Sequence, residues 1–157
     1  MANFKLVKHG DWAKVRHLLG YTFPRLAPFA VGQIDQYGEV ALEIIKGHIQ
    51  NQSLPWTPLS SETISRKGGS EIYIESGTLV NGVEVKKLST GGNEMFIGFS
   101  DGTKHPSGLS FGQLMVFLEY GTANAPPRPL IRPSFDEVKA LIKKDFAPAI
   151  KKYLSKG

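Results

Sequence analysis

Cysteine is missing from this 157-residue chain. Its absence excludes disulfides and thiolate metal sites, and makes a reducing cytoplasm a comfortable place of synthesis. No apolar run approaches the ~20 residues that a membrane-spanning helix needs. The opening MANFKLVKHGDW has no apolar core followed by a small-residue cleavage site, so no signal peptide is expected. Ligand spacing is missing too. His9, His17, His48 and His105 form neither an H-E-x-x-H motif nor an i, i+4 pair. His48 falls near the end of a helical pattern, where a positive charge suits the dipole. No G-x-G-x-x-G or Walker pattern follows a strand. The carboxylates are scattered, with Glu71 and Glu75 four apart in a segment that starts extended. The sequence therefore predicts no cofactor, no metal and no acid–base pair.

Hydrophobic residues make up 41% and charged residues 21%, which places the chain in the globular class and makes one domain the simplest reading. The charge is unevenly spread. Residues 1–127 balance eleven Lys/Arg against eleven Asp/Glu, whereas residues 128–157 carry eight against three, so the entire formal excess of +5 lies in the last thirty residues. A basic segment of this kind attracts nucleic acid or an acidic protein face, and composition equally admits a merely solvated lysine face.

Periodicity predicts a short helix from Asp11 to Leu19, with Trp12, Val15 and Leu18/Leu19 on one face and Gly20 as its stop. Residues 21–28 read as a Pro-interrupted connector, and residues 1–28 as an N-terminal extension. A longer helix is expected from about Phe29 to about Gln50, with Ile34, Tyr37, Ala41, Ile44/Ile45, His48 and Ile49 at a 3.6-residue period. Gly32, Gly38 and Gly47 weaken it by roughly 1 kcal/mol each relative to alanine, so it must depend on packing. Trp56, between Pro55 and Pro58, reads as a buried anchor in a polar loop. One helical turn is expected from Ser60 to Lys67, ended by Gly68 and Gly69.

Ile72, Tyr73 and Ile74 look extended. Val83–Leu88 and Met95–Phe99, around the turn signal Thr90-Gly91-Gly92-Asn93, predict a β-hairpin that must pack on the helices. Asp101–Gly108 reads as a flexible loop. Ser110 and Gln113 form a capping-box pattern, with Leu109 and Leu114 as a hydrophobic staple, for a helix that turns Leu114, Phe117 and Leu118 inward and ends near Gly121. Ser134 and Glu137 predict a second capping box. It opens a C-terminal amphipathic helix over 134–155, with Phe135, Val138, Leu141/Ile142, Phe146, Ala149/Ile150 and Tyr153 on its stripe. Lys139, Lys143, Lys144, Lys151 and Lys152 occupy the other face, and Pro148 should kink or divide the helix. The fold class is α+β: a small antiparallel sheet packed with a long N-terminal-half helix and a C-terminal amphipathic helix.

The segment LEYGTANAPPRPLIRP, from Leu118 to Pro133, is the most unusual in the chain. Pro126, Pro127, Pro129 and Pro133 surround Arg128 and Arg132. Proline fixes φ and removes a donor, so residues 123–133 are expected to form a stiff extended arm and neither a helix nor a central strand. Such an arm docks rather than catalyses, although composition alone equally admits a rigid linker. One catalytic pattern is present. Gly108-Leu109-Ser110-Phe111-Gly112 matches the G-x-S-x-G nucleophile elbow, but no buried strand leads into Ser110 and no His follows it.

Three of these segments also coincide with one family. Pro55-Trp56-Thr57-Pro58-Leu59, followed by Thr63 and Arg66-Lys67, is similar to the W-x-P-L-s…T…K signature of phage virion morphogenesis proteins. Ser76-Gly77-Thr78-Leu79 is similar to the T-G-x-L that follows it there. Leu118-Glu119-Tyr120-Gly121-Thr122, followed by Arg128-Pro129-Leu130-Ile131-Arg132-Pro133, resembles E-[FY]-G-t…p-x-R-P-F-l-R-P. These are the small tail-completion or neck proteins of tailed bacteriophages, including the Mu G-like proteins. Leu130 stands where that family usually has Phe, and Pro127 where it often has Ala. The resemblance implies a non-enzymatic virion protein, assembled in the host cytoplasm, that joins the head connector to the tail. Tail completion, tail terminator and head–tail adaptor remain open as branches.

The resemblance further implies a homo-oligomeric ring, hexameric by preference, between a portal or stopper protein and a tail tube or terminator protein. DNA would pass through the ring without sequence-specific binding, and no membrane would be involved. Trp56, Glu119, Tyr120, Arg128, Pro129, Leu130 and Arg132 are the expected interface residues, with Arg128 and Arg132 as forks for a neighbour's carboxylates. Lys143, Lys144, Lys151 and Lys152 are candidates to line the DNA channel. Two other classes stay in view: a nucleic-acid-binding module that uses the basic helix, and a serine hydrolase built on Ser110.

Overall fold

The computed structural model describes residues 11–88, 94–99, 104–105 and 108–155, apart from the side chains of residues 12, 14–19 and 21–23. In chain order the elements are α1 (Trp12–Asn51), α2 (Ser61–Lys67), α3 (Thr78–Gly82), β1 (Val83–Lys87), β2 (Met95–Phe99), α4 (Phe111–Tyr120) and α5 (Ile131–Ser155). The architecture is α+β, with a two-stranded antiparallel sheet and two long helices.

α1 corrects the N-terminal reading. Neither Gly20 nor residues 21–28 interrupt it, and Pro24 and Pro28 lie inside one 40-residue helix. The two prolines are four residues apart and both exposed, so the carbonyls they leave without donors face water. Packing on α5 supplies the stability that local propensity lacks. Phe29 lies 4.7 Å from Tyr153 and 6.1 Å from Phe146 between ring centroids, and Arg25 sits over the Tyr153 ring at 5.4 Å. At the other end His48 Nε2 meets Glu137 at 3.2 Å, so α1 and α5 run antiparallel.

The core gathers at the C-terminal half of α1. Ile45 and Ile49 are fully buried against Tyr73, Leu79, Val80, Val83, Phe111, Met115 and Leu130. The hairpin forms where expected, and its register runs from Val83 opposite Phe99 to Lys87 opposite Met95. Its turn, residues 89–93, lies outside the described residues, as does most of the 101–108 loop. The hairpin crosses α1 at Gly38, where a Cβ would come within 2.6 Å of Met95 Sδ and 3.3 Å of Val85 Cγ1. Lys87 Nζ then pairs with Asp35 at 2.7 Å.

Local signals for α2 and α4 hold. Ser60 caps α2 through Thr63 N, and Gly68, at φ 76, closes it. Ser110 and Gln113 form the full capping box of α4. The inward face of α4 is shifted from the expectation. Phe111 and Met115 are buried with Leu114 and Leu118 beside them, while Phe117 is 43% exposed.

Ile72–Ile74 is no strand. Gln52 holds Ile72 at both its N–H and its carbonyl (2.7 and 2.8 Å), and Tyr73 adopts φ 68 in a turn that points its ring into the core. α5 starts three residues before the expected cap, and it is continuous through an exposed Pro148. Ser134 is not a cap. It is fully buried inside the helix, and its hydroxyl donates to the Leu130 carbonyl. Phe135 lies at the edge of the apolar stripe, 36% exposed.

Candidate functional site

Chain direction reverses at Gly121. Its φ of 77 suits glycine, and a Cβ there would lie 2.8 Å from Pro127 N and 2.9 Å from the Ala125 carbonyl. Thr122 and Ala125 close the turn through a 2.9 Å backbone bond. The proline segment then lies along the body. Arg128 N–H donates to the Leu118 carbonyl at 2.7 Å. The Arg128 carbonyl accepts from the Tyr73 hydroxyl, and the Pro129 carbonyl accepts from Trp56 Nε1 at 2.7 Å. The Trp56 and Tyr73 rings meet at 5.1 Å.

Two expected interface residues are therefore buried within the chain itself. Arg128 is 6% exposed and donates from Nε to the Thr57 carbonyl (2.7 Å) and from Nη2 to the Pro58 carbonyl (3.0 Å). Leu130 is fully buried in the core. Leu130 is not presented to a neighbour, which corrects its reading as a docking residue, and Arg128 is not the free fork expected, because its Nε and Nη2 bond within the chain. The segment is a folded strap rather than a free arm, and its last residues enter α5.

Glu119 explains why a helix begins inside a proline-rich stretch. Its carboxylate accepts from the N–H groups of Leu130 (2.7 Å), Ile131 (2.9 Å) and Arg132 (3.0 Å). Pro133 has no N–H to satisfy, and Ser134 N–H makes the first bond of the ladder, to Leu130. A helix start leaves four donors without intrahelical partners; here one carboxylate takes three and proline removes the fourth. The expectation that no helix could include the strap's end fails for this reason.

Trp56, Glu119 and Arg128 lie far apart in sequence and close into one knot. What the knot leaves outside is a groove of about 570 Å³, lined by Trp56, Tyr120, Pro127, Pro129, Arg132, Pro133 and their neighbours. A second hollow, lined by Met115, Val116, Glu119, Tyr120, Ile131 and Arg132, shares its wall. Tyr120 is 67% exposed and Val116 54%, and Phe117 lies next to them. No protein-family model, curated protein or solved structure matches this chain.

Lys143, Lys144, Lys151 and Lys152 are all exposed on the distal half of α5, away from the groove residues in sequence; Lys139 is exposed as well, paired with Asp136 at 3.0 Å. Ser110 serves as the α4 cap, its Oγ accepting from Gln113 N at 3.2 Å. Among the described residues no group of three or more His, Asp or Glu has the arrangement of a metal site.

Sequence reasoning missed the cap role of Glu119, the Gln52 clamp, and a cavity beneath α2 that gathers Arg66, Lys67, His105 and Arg128. Glu119 had a readable signal: an acid at the end of one helix, followed by a Pro-rich start of another. The cavity had none, because its walls come from five separate segments.

Proposed function

We propose that this chain is a structural virion protein of the phage neck, joining the head connector to the tail as an oligomeric ring around the DNA path. The observation that carries the reading is the exposed apolar surface at Val116 and Tyr120, continuous through Tyr120 with the proline-lined groove beside Trp56. Exposed contiguous apolar surface of this kind marks protein contact sites. The groove's proline wall is a strap that backbone hydrogen bonds and the Glu119 cap hold in place, so little conformational entropy is lost on docking. Ring closure needs two different faces of one chain to meet, and this apolar surface would be one of them. Of the motifs that resemble phage neck proteins, one forms this strap and another, around Trp56, holds it, and their order along the chain adds support.

Tail completion is the preferred branch, with tail terminator or head–tail adaptor as alternatives. The test is electron microscopy and mass photometry of the purified protein, together with the Tyr120→Arg variant. Rings are expected for the native sequence, and Tyr120→Arg should abolish them without lowering Tm. A native protein that stays monomeric at high concentration and in the presence of its neck partners overturns the proposal.

A second reading rests on the exposed lysines of α5. A nucleic-acid module that used them would lose affinity steeply with salt through counterion release, whereas a ring held by apolar contacts persists. DNA binding that is tight at physiological salt and lost when Lys143, Lys144, Lys151 and Lys152 become Gln would favour the module.

A further inference from the structure

A cavity of about 270 Å³ opens between α2, the 72–76 turn, α3 and α4. Ile72, Leu79, Phe111 and Leu114 make its apolar floor. Arg66, Lys67 and Arg128 line it as well, against the single carboxylate of Glu75, which lies 3.4 Å from His105 Nε2. The charge at this cavity is positive, although residues 1–127 as a whole carry none.

Arg128 is the telling residue. It is 6% exposed, and of its five N–H donors it uses Nε and one Nη2 hydrogen on the Thr57 and Pro58 carbonyls. The remaining donors have no hydrogen-bond partner among the described residues. None of them is among the atoms sealed from solvent without a partner, so on the cavity wall they are open to a ligand. Lys67 lines the same cavity. Its ammonium donates to the Glu71 carbonyl, and burial holds its pKa below the ordinary lysine range; the Arg128 charge pushes the same way, while Glu75 and Glu71 oppose. With one carboxylate on the lining against three cations, the cavity has charge to offer an anion.

We propose that this cavity binds an apolar carboxylate, its tail on Phe111 and Leu114 and its carboxylate bonded to Lys67 and Arg128. The volume lies just below the ~300 Å³ at which drug-sized pockets begin, so the occupant is one small apolar group. Two sources carry that chemistry: the C-terminal residue of a peptide, and a short fatty acid. The inference does not depend on the neck reading, because it concerns a cavity on residues that the groove does not use, Arg128 being buried between them.

The test is isothermal titration calorimetry of the full chain with octanoate, octanol, an acetylated tripeptide ending in free leucine, and its C-terminal amide. Both variants, Lys67→Met and Leu114→Trp, are first checked for native circular dichroism. Arg128 is left intact because its loss would undo the strap. The expected result is that at least one carboxylate binds at least tenfold more tightly than its uncharged analogue. Lys67→Met should weaken that binding about tenfold, and Leu114→Trp should abolish it by filling the floor. Tighter binding of the peptide assigns a chain terminus as the source, and tighter binding of octanoate assigns a fatty acid. Failure of both carboxylates to bind, equal binding of the uncharged analogues, or binding that survives both substitutions overturns the proposal.

Discussion

Glu119 holds the N-terminus of α5 from the C-terminus of α4. Three backbone N–H groups converge on its carboxylate, one of them on the fully buried Leu130. Replacing Glu119 by Ala should lower the unfolding free energy by about 2–3 kcal/mol, measured by urea denaturation, because a charge-assisted cap is lost and buried donors stay unpaired. Arg128→Glu should be worse tolerated than Arg132→Glu, since Arg128 is buried and Arg132 exposed. Tyr73 supplies a pH signature. Burial, with the Glu119 charge adding to it and Arg128 opposing, pushes its phenol well above the ordinary 10.0. A group whose folded pKa is raised contributes its full stability below the unfolded value and loses it as pH rises toward the folded one. Stability should therefore fall from about pH 10 upward. Ultraviolet titration should show one tyrosine ionising only with unfolding, and Tyr73→Phe should remove that late step.

Elements here are stabilised unequally by their own sequences. α2 and α4 carry their caps with them, so Ser60 and Ser110 marked their starts within a few residues of chain. α1 contains two prolines and three mid-helix glycines in its second half, and it stands through contacts with α5 and the hairpin. The glycines separate by environment. A Cβ at Gly32 or Gly47 meets nothing within 4 Å, whereas one at Gly38 meets the hairpin. Gly32→Ala and Gly47→Ala should each stabilise the protein by about 0.5–1 kcal/mol in thermal or urea unfolding. Gly38→Ala should gain less than either, because Met95 and Val85 must give way, and Gly38→Val should be destabilising. β2 has a similar accommodation, where Gly98 leaves room for the Phe96 ring.

At the scale of the molecule, two surfaces are separated. The strap groove and the exposed edge of α4 are apolar, while the distal half of α5 is basic. The same ring experiment reads both: assembly that survives high salt belongs to the apolar surface, and any DNA affinity that vanishes with salt belongs to the lysines. The α+β class, the hairpin, the start of α2 at Ser60, the Ser110 cap and the lysine face of α5 were legible in the chain, because alternation, capping and helical period are properties of neighbouring residues. The continuity of α1, the turn at Tyr73, the early start of α5 and the burial of Arg128 were decided by the tertiary structure alone. Each depends on a partner distant in sequence: α5 on α1, Gln52 on Ile72, Glu119 on three amides, the Trp56 loop on the strap. A proline–arginine segment reads as an exposed arm by composition, and it becomes a strap only when carbonyls some seventy residues away accept its guanidinium.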